Sequence, residues 1–576
     1  MIITPDNEAY LLKAPLAIDE LHQLDFANAT AQANYFQSLP KLALMRITYQ
    51  RENGTLVVPF NIEQIRSYNY VMYKNKNYGN KWFYAFVTGM SYESNTVTSV
   101  GLKTDVFQTY MFDYTWQKSY IKRETVADDT FGKHILPEGL AYGDYVLNNT
   151  YSDSEVLVTN ASTYQNKTPL MVVQCSERAG IAYQWDGTTE GNEIEDMYII
   201  GGVPQGCWYY IFRCDSTGFD NIGEFKRYWD LIGKGSAIIN VFLSPQQCVS
   251  LQRCRVHLYD KEGNVSNVKM PCYVASSNTF LPTQLFNKTL TIPTKIGNFT
   301  PVNKKTLCFP YNYILVSNNS GVAMDFHYED FNGAPNFRCI GTLSVNTPFC
   351  LLPNNSKKSQ NIEYGINTEM VMGTALPCLS WDSDYYLNWI AQNGSQIRLD
   401  AEQYTRGELM NMVGGMASSA VNADFASPLA SAVASGVGGL AHMAIGTHDY
   451  IQQVEEKIKS AQAVPNTVNG NLGAGDLAFS IYGSVGFKFY NYQIREDMAR
   501  KIDAYFSMYG YLVNDIRTPN TKTRSKWNFL QTVGANLTGD IPQEALLELK
   551  NMYNAGITIW HDPAHFLDYD QTNSIV

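Results

Sequence analysis

Short runs of β-branched and aromatic residues, separated by polar turn clusters, recur along most of this 576-residue chain. That rhythm confines much of it to antiparallel sheets, because alternation over a handful of residues suits a pleated strand. Leu42–Tyr49, a turn at Glu52-Asn53-Gly54 and Leu56-Val-Val-Pro-Phe60 predict a hairpin. Lys81–Gly89 and Asn95–Leu102 predict two further strands, and Leu170–Cys175, Trp208–Phe212 and Tyr313–Val316 carry the texture into the middle. Ser317-Asn-Asn-Ser-Gly321 and Asn354-Asn-Ser-Lys-Lys358 punctuate it. Regular short strands of this kind predict barrels or sandwiches, and no fixed-period repeat accompanies them.

Composition narrows the function. Hydrophobic residues make up 45%, enough for packed cores, so a disordered or fibrous chain is excluded. Charged residues make up only 17%, against roughly 25% in ordinary globular proteins. Aromatics reach 13%, led by 39 tyrosines, which suits β structure with broad surfaces buried against other chains. The formal charge of −11 disfavours a sequence-reading DNA binder, which needs a basic excess to neutralise phosphates. All ten cysteines lie between Cys175 and Cys378 without a CxxC pair; the closest in sequence are Cys207/Cys214 and Cys248/Cys254. They read as buried free thiols of a protein assembled in a reducing cytoplasm. The opening Met1-Ile-Ile-Thr-Pro-Asp has no basic start followed by an apolar run, so no secretory leader is expected.

Helical periodicity appears late. Ile494, Met498, Ile502, Tyr505 and Tyr509 recur at helical spacing before Gly510. A second helix is expected from after Asp540 to near Gly556, with Leu546, Leu549 and Tyr553 on one face. Both stripes read as packing faces.

One segment breaks the pattern. From Leu409 to Gly446, 38 residues hold a single formal charge, Asp424. Pro428 splits the run into 19 and 18 residues, each long enough as helix to reach roughly 28 Å, near a bilayer's hydrocarbon thickness. Its apolar positions are Leu409, Met410, Met412, Val413, Met416, Val421, Phe425, Leu429, Val433, Val437, Leu440, Met443 and Ile445. Ala430, Ala434 and Gly438 stand at four-residue spacing, which favours helix–helix contact in lipid; Asp424 and Pro428 mark the turn. Three other placements stay open: a buried Ala/Gly-rich hairpin, a flexible linker and an ordinary transmembrane anchor. The run is expected to be a conditionally exposed, membrane-active loop.

Nothing specifies an active site. His561-Asp-Pro-Ala-His565 has histidines four apart, but Pro563 intervenes and no glutamate follows the first, so no metal is expected. Arg253-Cys-Arg-Val-His257 fits an alternating strand better than an activated thiol. The pairs Glu193/Glu195 and Asp382/Asp384 are commonplace in an acidic chain. No phosphate-binding loop, dinucleotide fingerprint or nucleophile elbow occurs, and no catalytic residue or cofactor is expected. The basic stretch Arg517–Trp527 reads as an interface or salt-bridging element rather than a nucleic-acid contact.

Several segments are more particular. Tyr78–Thr88 (YGNKWFYAFVT), Asp105–Phe112 (DVFQTYMF), Ser119–Val126 (SYIKRETV) and Glu138–Gly143 (EGLAYG) occur in that order. Tyr509-Gly-Tyr511, Thr518–Gln531, Thr538-Gly-Asp-Ile541 and Ala555–His561 (AGITIWH) follow near the end. In these motifs the chain resembles the distal tail knob, or tail-tip tube, proteins of short-tailed bacteriophages of the Picovirinae (phi-29-like) kind. The likeness is dense over 60–145 and 480–562 and thin across 146–380. The apolar run sits where that family carries a long hydrophobic loop, without matching it residue by residue.

The resemblance implies a mainly β fold: barrel-like domains of the phage tail-tube type, a few C-terminal helices and one long hydrophobic loop. It implies a discontinuous tube domain, residues 1–145 with 481–576, around an inserted β-rich region at 146–380 and a loop-bearing region at 381–480. It further implies a homo-hexamer joined to other tail proteins, the proximal tail tube among them. The apolar loops plug the lumen, then penetrate the host cytoplasmic membrane to open a channel for DNA ejection. Six copies at −11 carry roughly −66, which would let viral DNA pass without sequence-specific binding. The alternative is a tail adhesin that recognises cell-wall polymer through the divergent middle.

Overall fold

The predicted strands pair mostly with near neighbours in the chain, and a few pairings, such as Asn312–Ser317 with Lys488–Ile494, join distant segments. The computed structural model describes residues 7–45, 49–50, 54–75, 79–151, 156–159, 169–194, 199–200, 203–204, 207–249, 251–275, 283–341, 343, 349–357, 372–374, 377–393, 448–465, 467–469, 483–521 and 527–573. The fold is mainly β, with one sheet curled into a half-barrel.

A seven-stranded antiparallel sheet runs in the order Lys41–Met45, Asn7–Leu12, Tyr70–Asn75, Trp82–Ser94, Val97–Thr104, Thr55–Val58, Tyr49–Gln50. The expected hairpin is present, with Tyr49 opposite Leu56, but Lys41–Met45 pairs instead with Asn7–Leu12. Both faces are covered. Leu11, Val71 and Ala85 enter one core, while Leu12, Tyr70, Met72 and Tyr84 enter another with Phe36 and Trp560. Phe36, from the helix Ala29–Ser38, stacks on Tyr70 at 5.4 Å.

A five-stranded sheet joins the two ends of the chain in the order His22–Leu24, Ile557–Trp560, Asn528–Val533, Ser119–Glu124, Tyr511–Arg517. Only its first pair is parallel. The helix Gln543–Ala555 covers it with Leu549 and Tyr553, as the sequence predicts.

Two four-stranded sheets share a core. One has the order Tyr145–Tyr151, Lys488–Ile494, Asn312–Ser317, Ala323–Phe326; the other Thr283–Thr289, Asn336–Gly341, Phe349–Pro353, Met372–Thr374. Phe337 of the second touches Phe326 and Phe489 of the first, at ring separations of 5.1 and 5.2 Å. The helix Glu496–Tyr509 starts later than its stripe predicts, because Ile494 finishes a strand. It stops at Gly510, whose φ of 63° and close approach to the Glu124 carbonyl both favour glycine. A further seven-stranded sheet is built from 170–275, in the order Glu190–Glu193, Gly180–Trp185, Leu251–Tyr259, Val265–Ala275, Trp208–Arg213, Leu170–Cys175, Ile238–Ser244. The helix Ser216–Leu231, not foreseen from the sequence, packs Phe225 on Tyr210 and Phe212 of that sheet.

A buried ionic knot ties the end-joining sheet to the helical turn Lys304–Leu307. Glu138 takes the Lys305 ammonium at 2.5 Å, the Leu512 amide at 2.9 Å and a guanidinium nitrogen of Arg123. Arg123 also donates to Gly510 O at 2.7 Å and lies over the Tyr505 ring. Burial pushes the Lys305 ammonium pKa down, and Glu138 offsets only part of that. Each cation therefore needs its carboxylate.

Asp105 is the second buried carboxyl with structural consequences. It caps Val106–Tyr110 by accepting from Gln108 N at 3.0 Å, and it accepts from the Tyr70 hydroxyl at 2.8 Å. Burial outweighs these donors and raises its pKa to about 7. The folded state thus holds this proton more tightly than the unfolded chain does, and the stability it confers is complete below about pH 4. That stability is lost as pH rises through 7, by at most about 1.4 kcal/mol per pH unit. Asp105→Asn is expected to flatten this slope: in thermal unfolding, the variant gains on the parent protein between pH 5 and pH 8.

Candidate functional site

The apolar run Leu409–Gly446, with every residue assigned to it, lies outside the described residues. Its two flanks are described, and they form a stem. Trp381–Ser383 pairs antiparallel with Thr467–Asn469, Trp381 opposite Asn469 and Ser383 opposite Thr467. The chain therefore leaves and returns side by side. Inward of this ladder stand a helical stretch, 385–393, and the helix His448–Ala463, whose Ile458 and Ala461 are buried. Among the described residues, no helix is long and apolar enough to cross a membrane.

The first leg of the stem is bolted to the sheet built from 170–275. Leu243 N donates to Pro377 O at 2.8 Å and Leu379 N to Val241 O at 2.7 Å, so 377–379 runs along the sheet's Ile238–Ser244 edge. Asp230, in the last turn of Ser216–Leu231, is buried there. It accepts from Ser383 Oγ at 3.0 Å, Asp384 N at 3.1 Å and Asn388 Nδ2 at 2.6 Å. Asn388 Oδ1 in turn accepts from Gly235 N at 2.9 Å, and Gln392 donates to Gly233 O at 2.8 Å. Burial raises the Asp230 pKa, while its three donors pull it down. A methyl on Gly235 would overlap Asp230 Oδ1 and stand 2.7 Å from Asn388 Nδ2. Only glycine leaves room for that carboxylate–amide contact.

The remaining candidates fall into structural roles where they are described. His561 is buried against Asp25 (3.0 Å) and Thr521 O (2.7 Å), whereas His565 faces Asp562 at 3.1 Å. No cluster of metal-ligating side chains occurs among the described residues. Arg253-Cys-Arg-Val-His257 alternates as expected, with Cys254 and Val256 in the core and His257 on Glu190 at 3.0 Å. Glu193 pairs with Arg178 and Asp384 caps the turn at Leu387; Glu195 lies outside the described residues. In the basic stretch, 522–526 is likewise outside them; Arg517 pairs with Glu124, and Trp527 is buried against Trp560 and Tyr569. The Asp230 anchor went unseen in sequence because its partners Ser383, Asp384 and Asn388 lie more than 150 residues away.

Two family matches divide along this architecture. Residues 9–115, which include all of the first seven-stranded sheet but Asn7 and Glu8, match the family described as caudoviral major tail protein N-terminus. Fold and match together define a structural component of a bacteriophage tail. Residues 281–574, more than half of the chain, match the family described as Bacillus phage phi29, tail knob protein gp9, C-terminal domain. The chain belongs to that family of tail knob proteins, whose place is the virion tail among other tail proteins. It is 25% identical over 607 aligned residues to the tail knob protein gp9 of Bacillus phage phi29, with 96% of each chain covered. It is 26% identical to that of Bacillus phage PZA over the same coverage, and 24% identical to that of Bacillus phage B103 over 96% of this chain and 95% of the relative. The solved bacteriophage C1 tail knob protein gp12 has the same fold, with a TM-score of 0.57 at 12% identity over 97% of this chain and 98% of that one.

The stem generates its own test. Gly235→Ala should push Asp230 off Asn388 at a cost of about 1–3 kcal/mol. Hydrogen exchange is expected to quicken roughly tenfold or more across 377–393, with the first seven-stranded sheet unchanged.

Proposed function

We propose that six copies close into a ring forming the distal end of the phage tail, and that Leu409–Gly446 first plugs its lumen and then enters the host cytoplasmic membrane. DNA leaves through the channel so opened. The observation that carries this reading is the nearly chargeless 38-residue run held on a paired stem, in a member of the tail knob family. A run of that composition needs shelter from water, yet its Gly and Ala make it too weakly apolar for a permanent anchor.

Sheet edges with no strand beside them among the described residues support the ring. In the first four-stranded sheet, Tyr145–Tyr151 is an outer strand exposed over 146–150, and Ala323–Phe326 is the opposite outer strand. Edges left open in this way offer their backbone groups to a neighbouring copy. The sheet partners also suggest a division into nested domains. Residues 7–124 with 511–573 form an outer unit. Residues 126–151, 283–374 and 484–509 form a second tube unit, with 170–275 inserted into it and the stem-borne loop following. This reading refines the 146–380 and 481–576 limits expected from sequence, since Tyr145–Tyr151, Asn312–Ser317 and Lys488–Ile494 share one sheet.

Assembly and membrane action are separately testable. Mass measurement in solution should give a hexamer that does not retain duplex DNA at low salt; a stable monomer at high concentration refutes the ring. Intact protein should release dye from liposomes, and more so in mild acid, where Asp424 is neutralised. Protein lacking 409–446 should assemble but fail to release dye. Val413→Arg with Val437→Arg should also abolish leakage, since each charge costs about 2.5–3.5 kcal/mol at mid-membrane. Undiminished leakage from both variants rules out insertion by this run.

A further inference from the structure

Cysteine spacing along the chain suggests no pairing, but the sheet creates one. Cys254 and Cys272 stand directly opposite each other on the hairpin strands Leu251–Tyr259 and Val265–Ala275. Their Sγ atoms are 3.4 Å apart, and Cys254 also donates its thiol proton toward Cys272 O at 3.3 Å. A register irregularity between His257 and Tyr259 makes the match: the turn-side pair Tyr259/Val265, continued evenly, would set Cys254 against Met270, which instead faces Val256. Directly opposed antiparallel residues have Cα atoms roughly 4.5–5.5 Å apart, inside the span that a disulfide bridges, so side-chain rotation closes the gap without moving a strand.

We propose that Cys254 and Cys272 are an oxidation site that stays reduced during assembly and becomes a cross-strand disulfide once the virion has left the reducing cytoplasm. The two S–H bonds break and one S–S bond forms. Two protons are released, and two electrons pass to the oxidant, either dioxygen, reduced to hydrogen peroxide, or a small organic disulfide, reduced to two thiols. Both cysteines are buried, and burial together with the Cys254 contact pushes the Cys272 thiol pKa well up. The reaction is therefore slow and waits on opening of the hairpin, which spares the thiols during assembly. The bridge closes the 255–271 hairpin at the centre of the sheet that carries the loop's stem.

The test uses the full-length protein and released virions. Thiols trapped in acid, alkylated after denaturation and counted by mass should number ten per chain in protein kept reduced. Eight are expected in released virions or after incubation of the purified protein with glutathione disulfide. Peptide mapping should join Cys254 to Cys272, and oxidation should raise the unfolding temperature by roughly 5–10 °C. Cys254→Ser and Cys272→Ser should each leave nine alkylatable thiols under every condition and show no such rise. Ten free thiols in released virions and after glutathione disulfide overturn the proposal, as does a bridge between any other pair.

Discussion

Glu138 is the point on which the arrangement of sheets depends. Its carboxylate stands where the strand Ser119–Glu124, the turn at Gly510 and the Lys305 segment converge, and it takes a proton donor from each side. Two buried cations without this anion would oppose each other in a medium that screens poorly, and the Lys304–Leu307 turn would be driven from the Ser119–Glu124 strand. Lengths of chain more than 350 residues apart are thereby held in one place by a single side chain.

The local pieces of this fold are written in local sequence. Short apolar runs such as Leu170–Cys175 and Tyr313–Val316 became strands, and the late stripes became helices ending at Gly510 and Gly556, because each signal lies within a few neighbouring residues. Partnership lies elsewhere. That Ser119–Glu124 pairs with Tyr511–Arg517, or His22–Leu24 with Ile557–Trp560, depends on packing over hundreds of residues and leaves no periodic trace. Ser216–Leu231 escaped notice because Gly218 and Gly223 weaken its helix propensity, which tertiary burial of Phe225 and Trp229 overrides. Ile494 sits at helical spacing from Met498 yet belongs to a strand; periodicity alone does not register the change of direction at Arg495.

The loop site divides in the same way. Its apolar run is conspicuous in sequence because charge is absent over so long a stretch. Its anchor is not, since Asp230, Asn388 and Gly235 become a unit only when a helix end, a tight turn and the stem's first leg meet. Likewise Cys254 and Cys272 face each other only because of one irregular step in the ladder, a detail of backbone geometry that residue types do not announce.

The neck formed by Trp381–Ser383 and Thr467–Asn469 also bears on how such a chain can diverge. Once the two feet of an excursion are clamped together, doubling its length costs only about 0.6 kcal/mol in closure entropy. Asn388 and Gln392 on one side and the buried Ile458 on the other remain tied to the surrounding fold, and a length change between them adds little to that closure cost. Insertions and deletions can accumulate there while the sheets stay constant. Relatives of this chain can therefore differ in the length between the feet without any change to the sheets that hold them.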